Sequence, residues 1–131
     1  MTSHPQNTQR HVFVYGTLRA GQANDINRLQ PTPRFVTHAR LAGTMYHLGG
    51  YPGVLLGGKQ TVLGEVYAID AALERVLDEI EEIYPQRKDE YTKREITVTV
   101  PNRALPCLVY EINARYVENR PQIAGGDWVN R

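Results

Sequence analysis

One segment of the chain has the periodicity of an amphipathic helix, and the apolar segments around it have the character of strands. Between residues 71 and 84, apolar side chains recur every three or four positions: Leu73, Val76, Leu77, Ile80 and Tyr84. That spacing places them on one helical face, which packs on the core. Asp70 is a residue type that caps helix N-termini, and Pro85 cannot continue a helix. We therefore expect a single firm helix over 71–84.

Strand-like segments outnumber this helix. They are short runs of apolar, β-branched and aromatic residues, found at 11–15, 36–48, 61–69, 91–100 and 104–112. The turn-like Pro101-Asn102-Arg103 joins the last two and predicts a hairpin. Residues 23–29 predict a short helical piece, and the glycine-rich residues 49–53 predict an exposed turn. A mixed α+β domain around a curved sheet is the expected class.

Length and charge limit the domain count and the kind of partner. A chain of 131 residues is of a size for one domain, which we place at 11–131, after a polar, flexible N-terminal tail at 1–10. Fifteen Lys and Arg against 14 Asp and Glu leave a net charge of +1, so we expect neither nucleic acid nor a membrane surface as partner. A small molecule fits better. No feature of the sequence fixes an oligomeric state.

Cysteine and histidine usage argues against metal centres and disulfides. Cys107 is the single cysteine, too few for an internal disulfide or a thiolate zinc cage, so we expect a reducing compartment. The four histidines are scattered without an HExxH pattern, and we predict no metal. The first ten residues lack the apolar middle of a secretion signal, and no apolar run is long enough to span a membrane. These features predict a cytoplasmic protein.

The first candidate site is the turn Tyr15-Gly16-Thr17-Leu18, which follows the first strand. Such a turn presents several backbone N–H groups, and a glycine allows close approach of a ligand. A carboxylate could be held there. The alternative, which the spacing alone leaves open, is that Gly16 merely ends a strand.

The second candidate site is the acidic run 78–82 on the predicted helix. At about 100° per residue from Leu73, Glu82 lies roughly 180° from the apolar stripe and faces water, whereas Glu81 lies roughly 80° away, on the shoulder of the buried face. Glu74 shares that shoulder. Partial burial suits a carboxylate to carry protons near neutral pH, but a solvated helix face explains the same run. Glu65, within an apolar strand, points either inward or to solvent, and period-two alternation does not decide between them.

Several motifs follow one another along the chain: Val12-Phe13-Val14-Tyr15-Gly16-Thr17-Leu18-Arg19, Tyr51-Pro52-Gly53, Val62-Leu63-Gly64-Glu65-Val66-Tyr67, Leu77-Asp78-x-x-Glu81, Tyr91-x-x-Arg94 and Gly126-Asp127-Trp128. Together they resemble the γ-glutamylcyclotransferase-like family, in particular its small bacterial and γ-glutamylamine cyclotransferase (AIG2-like) branches. The resemblance spans nearly the whole domain. It implies a small mixed β-barrel flanked by helices, a pocket at the mouth of the barrel, and an ordered Gly-Asp-Trp tail.

The resemblance also implies a reaction that needs no cofactor. The α-amine of a γ-glutamyl group attacks its own γ-carbonyl, which forms 5-oxoproline and releases an amine. The family's acid aligns with Glu81, which would act as general acid and base. The backbone of Tyr15, Gly16, Thr17 and Leu18 would bind the substrate's polar end, and Tyr91 would border the pocket.

Two departures from the family pattern and two alternative functions accompany this interpretation. The segment 82–90 is longer and more charged than the link typical of the family, and an alignment shifted by one residue would nominate Glu82. We expect substrate specificity to come from residues 49–53 and 82–90. The alternative function is a non-catalytic small-molecule-binding or regulatory module that uses the same pocket, because one fold hosts many functions. A protein-interaction adaptor is a third, weaker hypothesis, since it needs an exposed apolar patch.

Overall fold

The computed structural model describes residues 10–80 and 90–131. Its regular elements are, in chain order, β1 Arg10–Val14, β2 Arg34–His47, β3 Pro52–Ile69, α1 Ala71–Asp78, β4 Tyr91–Val100 and β5 Arg103–Ile112. Two short 3₁₀ helices lie at Ile26–Arg28 and Ala114–Val117. Each predicted strand is present, and the helical piece expected at 23–29 is the first 3₁₀ helix. The tail predicted at 1–10 lies outside the described residues except for Arg10, which begins β1.

The described strands form one five-stranded sheet in the order β2-β3-β1-β5-β4. The neighbours β1 and β5 run parallel, and the other three pairs are antiparallel. This mixed sheet with one helix confirms the α+β class. The barrel implied by the family resemblance is not formed, because β2 and β4 are the two ends of the described ladder and closure would need them to pair.

The hairpin of β2 and β3 is longer than the sequence predicts. The expected turn at 49–53 is shorter, since Pro52 and Gly53 already pair with His47 and Tyr46. A proline is tolerated as the first residue of a strand, where its missing N–H removes no essential ladder bond. Further along, the partner of β2 changes from Thr61 to Leu56 between Ala42 and Gly43, so residues 57–60 form a bulge in β3.

Two apolar clusters cover the two faces of the sheet. Alternate residues of β1 divide between them, with Phe13 in one cluster and Val12 and Val14 in the other, as strand geometry requires. Helix α1 joins the second cluster through Leu73 and Leu77, both fully buried.

The N-terminus of α1 is capped as the sequence predicts. The Asp70 carboxylate accepts a hydrogen bond from the Leu73 N–H at 2.8 Å. The α-helix ends at Asp78, and Glu79 keeps helical dihedral angles of φ −63° and ψ −43°. The remainder of the helix predicted over 71–84 lies outside the described residues from residue 81 onward.

The C-terminal segment packs on β3. Trp128 is buried, and the Gly126 carbonyl accepts a hydrogen bond from the Leu63 N–H at 2.7 Å. Only glycine fits at position 126, where φ is +65° and an added Cβ would lie 2.1 Å from the Thr61 carbonyl oxygen. The ordered Gly-Asp-Trp tail implied by the resemblance is therefore present.

Candidate active site

A pocket of about 520 Å³ opens where β1 ends, beside the turn between β2 and β3 and the start of β4. Its lining includes every substrate-binding residue predicted from the sequence: Tyr15, Gly16, Thr17, Leu18 and Tyr91. Residues from six separate stretches of the chain meet around this cavity, namely 13–18, 23–24, 50–52, 80, 90–91 and 110. A pocket of this size lies in the range of roughly 300–1,000 Å³ that holds small-molecule ligands.

The turn after β1 is held in place by its own backbone. The Arg19 N–H donates to the Gly16 carbonyl at 3.0 Å, and the Thr17 and Leu18 carbonyls accept from the N–H groups of Asn24 and Ile26 at 2.8 and 2.9 Å. At Gly16 an added Cβ would lie 2.6 Å from the Pro52 ring, so a glycine lets the turns after β1 and β2 touch. The sequence predicts that Gly16 allows a ligand to approach closely. The structure adds a separate reason for a glycine here, which is packing against Pro52.

Tyrosine hydroxyls fix the pocket wall. The Tyr15 hydroxyl donates to the Tyr110 carbonyl at 2.6 Å, and the Tyr91 hydroxyl donates to the Pro52 carbonyl at 2.9 Å. The Tyr110 hydroxyl donates to an Asp78 carboxylate oxygen at 2.7 Å. These bonds tie the end of β1 to β5, β5 to α1, and the start of β4 to the start of β3. Walls fixed in this way favour a pocket that is formed before a ligand binds.

One pocket carboxylate was missed by the sequence analysis, which placed Glu90 at the end of a charged loop. Glu90 is only 2% exposed, lines the pocket, and accepts a hydrogen bond from the Tyr51 hydroxyl. Its backbone is also fixed, since its carbonyl accepts from the Asn113 N–H at 2.7 Å. No local pattern marked it, because Thr92 and Arg94, the nearest β4 residues of the same parity, are exposed.

The predicted proton carrier Glu81 and its neighbour Glu82 lie outside the described residues. The residue directly before them, Ile80, lines the pocket. Glu74, predicted on the same helical shoulder as Glu81, is half-buried and bonded to Lys93 at 2.8 Å. It is not among the pocket residues.

The structure settles the direction of Glu65. Its side chain is buried and accepts three hydrogen bonds, from Arg19 Nε at 3.0 Å, from the Ala20 N–H at 2.9 Å and from the Tyr67 hydroxyl at 2.8 Å. Arg19 also pairs with Asp127 at 2.9 Å. Because Glu65 is not among the pocket residues, these bonds give it a structural role beneath the turn.

Burial raises the pKa values of two further groups, so both stay protonated at neutral pH. Desolvation raises the pKa of Tyr67 to about 12 and that of the Cys107 thiol to about 11. Cys107 lies in β5 and packs in the core, where a thiol is unreactive.

The residues matched by the family model for "Gamma-glutamyl cyclotransferase, AIG2-like" are 12–130, almost the whole chain. The chain belongs to the γ-glutamylcyclotransferase family. A Vibrio cholerae protein with the name "Putative gamma-glutamylcyclotransferase" is 36% identical over 125 residues that cover 94% of this chain and 98% of that protein. The γ-L-glutamyl-butirosin B γ-glutamyl cyclotransferase of Niallia circulans is 37% identical over 75 residues, which are 56% of this chain and 47% of that enzyme.

Solved structures of the γ-glutamylcyclotransferase family share this fold. The crystal structure of an AIG2-like protein from Mus musculus superposes with a TM-score of 0.73 at 28% identity, and the match covers 88% of this chain and 86% of that one. Family membership supports a cyclotransferase-type function for the chain. Within residues 10–80 and 90–131, no helix is long and apolar enough to cross a membrane. The same residues contain no group of three or more His, Cys, Asp or Glu side chains arranged to hold a metal ion.

Asp127 makes the network under the turn sensitive to acid. Burial raises its pKa, but hydrogen bonds from Asn130 and Arg19 outweigh burial and hold that pKa below the usual value of 3.8. A lowered carboxyl pKa contributes stability above its unfolded value and loses it as the pH falls through the folded value. We expect Asp127→Asn to reduce the free energy of unfolding near neutral pH, by an amount that shrinks below about pH 4.

Urea unfolding of the natural protein and of Asp127→Asn, between about pH 2 and about pH 7, measures the difference in the free energy of unfolding. The exposed Glu118→Gln is the control. A difference in the free energy of unfolding that is the same at about pH 2 and about pH 7 contradicts the proposed linkage.

Proposed function

We propose that this protein cyclises a γ-glutamyl amine or a related γ-glutamyl compound to 5-oxoproline and releases the amine. The observation that carries the proposal is the meeting of the Tyr15-Gly16-Thr17-Leu18 turn with Tyr91 in one pocket of a γ-glutamylcyclotransferase-family fold. The name of the Niallia circulans relative adds that a member of similar sequence acts on a γ-glutamyl compound.

The reaction forms one bond and breaks one. The α-nitrogen of the glutamyl group bonds to its own γ-carbon, and the bond from that carbon to the leaving nitrogen breaks. The α-ammonium must lose a proton before attack, and the leaving nitrogen must gain one, so a single carboxylate can move the proton between them. We assign this role to Glu81, which follows the pocket residue Ile80 in the sequence.

Positioning supplies the other part of the catalysis. The turn around Gly16 binds the α-carboxylate through backbone N–H groups, and Tyr91 bounds the opposite end of the glutamyl chain. Holding both ends brings the amine near the γ-carbonyl, and such orientation lowers a barrier by several kcal/mol, on the order of 7 or more for well-aligned groups. The hydrogen bonds of Tyr15 and Tyr91 to the backbone support this role, because they keep the walls in fixed positions.

The test is the release of 5-oxoproline, measured by chromatography, from a panel of γ-glutamyl amines and γ-glutamyl amino acids. The matched controls are the same compounds acetylated on the α-nitrogen, which fit the same glutamyl geometry but cannot attack. We expect turnover of at least one free-amine compound and none of its acetylated partner. If no compound on the panel is turned over while some bind, the protein is a non-catalytic binding module.

A further inference from the structure

The backbone N–H groups of Thr17 and Leu18 are unpaired donors at the pocket. Both residues line the pocket, and no group in the described part of the chain accepts a hydrogen bond from either N–H. The Gly16 carbonyl accepts from the Arg19 N–H at 3.0 Å. The Thr17 carbonyl accepts from the Asn24 N–H at 2.8 Å. Because a peptide unit is planar and trans, fixing a carbonyl also fixes the N–H of the next residue, which points the opposite way. The segment that follows the turn therefore sets the direction of these two donors.

That segment is anchored on one carboxylate, Glu65 of β3. Its Oε2 atom accepts from Arg19 Nε at 3.0 Å, and its Oε1 atom accepts from the Ala20 N–H at 2.9 Å. Oε1 also accepts from the Tyr67 hydroxyl at 2.8 Å, and that hydroxyl accepts from the Asn27 side-chain amide at 3.1 Å. Glu65 thus holds the segment directly at its first end, and through Tyr67 at its other end.

The location of Glu65 allows it to act on the turn but not on a ligand. In the sheet it lies opposite Val14, the last residue of β1, so it is beside the point where the turn begins. It is only 4% exposed and is not among the pocket residues. Arg19 does not line the pocket either, since its guanidinium pairs with Glu65 and Asp127. The donors that the turn offers to an anion are therefore backbone N–H groups and not the arginine charge.

We propose that Glu65 is a positioning residue: by holding the segment after the turn, it aims the Thr17 and Leu18 N–H groups at the α-carboxylate of the substrate. This inference rests on the proposed function, in which the turn binds that carboxylate. Two donors hold one carboxylate well only when both point at its oxygens, because a hydrogen bond weakens steeply as its angle departs from linearity. Loss of the anchor therefore weakens recognition of the carboxylate more than it weakens the rest of the site.

A purely electrostatic effect of Glu65 has the opposite sign. Removing its negative charge leaves the charge of Arg19 less compensated, and an uncompensated cation beneath the turn attracts an anion more strongly. Positioning by Glu65 predicts weaker recognition of the carboxylate in Glu65→Gln, whereas electrostatics alone predicts stronger recognition. The direction of the change separates the two.

The experiment compares two substrates that differ at the α-carboxylate alone. One is the γ-glutamyl amine turned over fastest on the panel, and the other is the same compound with an α-carboxamide in place of the carboxylate. Release of the shared amine is measured as kcat/KM, because cyclisation of the second compound gives the amide of 5-oxoproline. Each variant is judged by the ratio of its two substrates, so partial loss of folded protein cancels. Any intrinsic difference in reactivity between the two compounds is the same for every variant.

The variants are Glu65→Gln, Tyr67→Phe and the matched control Glu111→Gln. The Glu111 carboxylate also accepts from an arginine Nε and from a backbone N–H, which belong to Arg94 and Leu56, at 3.0 and 2.9 Å. None of these three control residues lines the pocket. Glu111→Gln therefore removes a similar set of bonds elsewhere in the sheet.

We expect the natural protein and Glu111→Gln to prefer the carboxylate substrate by about 10- to 100-fold, the factor that hydrogen bonds to a charged group supply. Glu65→Gln should lose most of that preference. Tyr67→Phe should lose less of it, because Arg19 and Ala20 keep their bonds to Glu65.

An unchanged or larger preference in Glu65→Gln overturns the proposal, and so does the absence of any preference in the natural protein. If Glu65→Gln yields no folded protein, Tyr67→Phe decides by the same ratio. A reduced preference in Tyr67→Phe then supports positioning through Glu65, and an unchanged one overturns it.

Failure of the proposed function gives a different result. If the natural protein releases the amine from no compound, calorimetric binding of one γ-glutamyl amine and its α-carboxamide decides. Tighter binding of the carboxylate compound that is lost in Glu65→Gln supports positioning of the turn in a non-catalytic pocket. Equal binding of the two compounds, or binding of neither, overturns the inference together with the reaction.

Discussion

Replacing Glu81 by glutamine should lower the rate of 5-oxoproline release by about 10²- to 10⁴-fold, the contribution of a positioned general acid and base. Glutamine keeps the size of the side chain and its capacity for hydrogen bonds, but it cannot accept the proton of the α-ammonium or return it to the leaving nitrogen. Since this residue is assigned to proton transfer, the free energy of unfolding should change little. Steady-state kinetics and thermal unfolding of the same preparations measure both quantities.

Glu82→Gln is the matched control, because the two glutamates are adjacent in the sequence and the predicted helical phase separates them. We expect Glu82→Gln to keep nearly full activity. If the large loss occurs in Glu82→Gln instead, the motif is aligned one residue away from the true acid. If Glu81→Gln unfolds the protein, the role of Glu81 is structural and the proton carrier is another group.

The second large effect concerns the ion pair beneath the turn. Arg19→Met should lower the free energy of unfolding by about 3–5 kcal/mol, because it leaves the charge of Glu65 uncompensated inside the protein. The Arg19 and Glu65 side chains are only 6% and 5% exposed, and they are in contact at 3.0 Å. The same substitution also removes the bond between Arg19 and Asp127. Urea unfolding measures the change.

Arg94→Met provides a matched control on a similar pair at the surface. Arg94 contacts Glu111 at the same distance of 3.0 Å, but its side chain is 55% exposed. Exposed pairs contribute only about 0–1 kcal/mol, so the two variants should differ severalfold in their effect on the free energy of unfolding. If Arg19→Met lowers the free energy of unfolding no more than Arg94→Met does, the buried pair contributes no more to stability than a surface pair.

The elements that the sequence predicts best have strong local signals. The hairpin of β4 and β5 is specified by two alternating strands and the turn Pro101-Asn102-Arg103, and its register follows from that turn. Helix α1 has both a cap and an apolar stripe. The pocket residues around Gly16 were predictable for the same reason, since a strand that ends at a glycine is a local pattern.

Features that depend on distant contacts were not predictable in this way. Residues 62 and 64–69 of β3 are all buried, so alternation carries no information about the direction of Glu65. Its partners Arg19 and Ala20 lie more than forty positions away in the sequence. Likewise, the contact between Tyr51 and Glu90 joins two turns, and neither turn alone marks its residue as part of a site. Closure of a sheet into a barrel also depends on pairing between its two edge strands, which are distant in the sequence.

The position of β1 in the sheet makes one side of the pocket less tolerant of amino-acid substitution than the other. β1 is the middle strand, bonded to β3 on one side and to β5 on the other, and the turn Tyr15-Gly16-Thr17-Leu18 is its direct continuation. A substitution in this turn therefore affects the end of the central strand of the sheet. Tyr51 and Glu90 lie in connections between outer elements. Natural or laboratory evolution can therefore alter this peripheral side of the pocket while the central strand of the sheet and the turn that continues it stay intact.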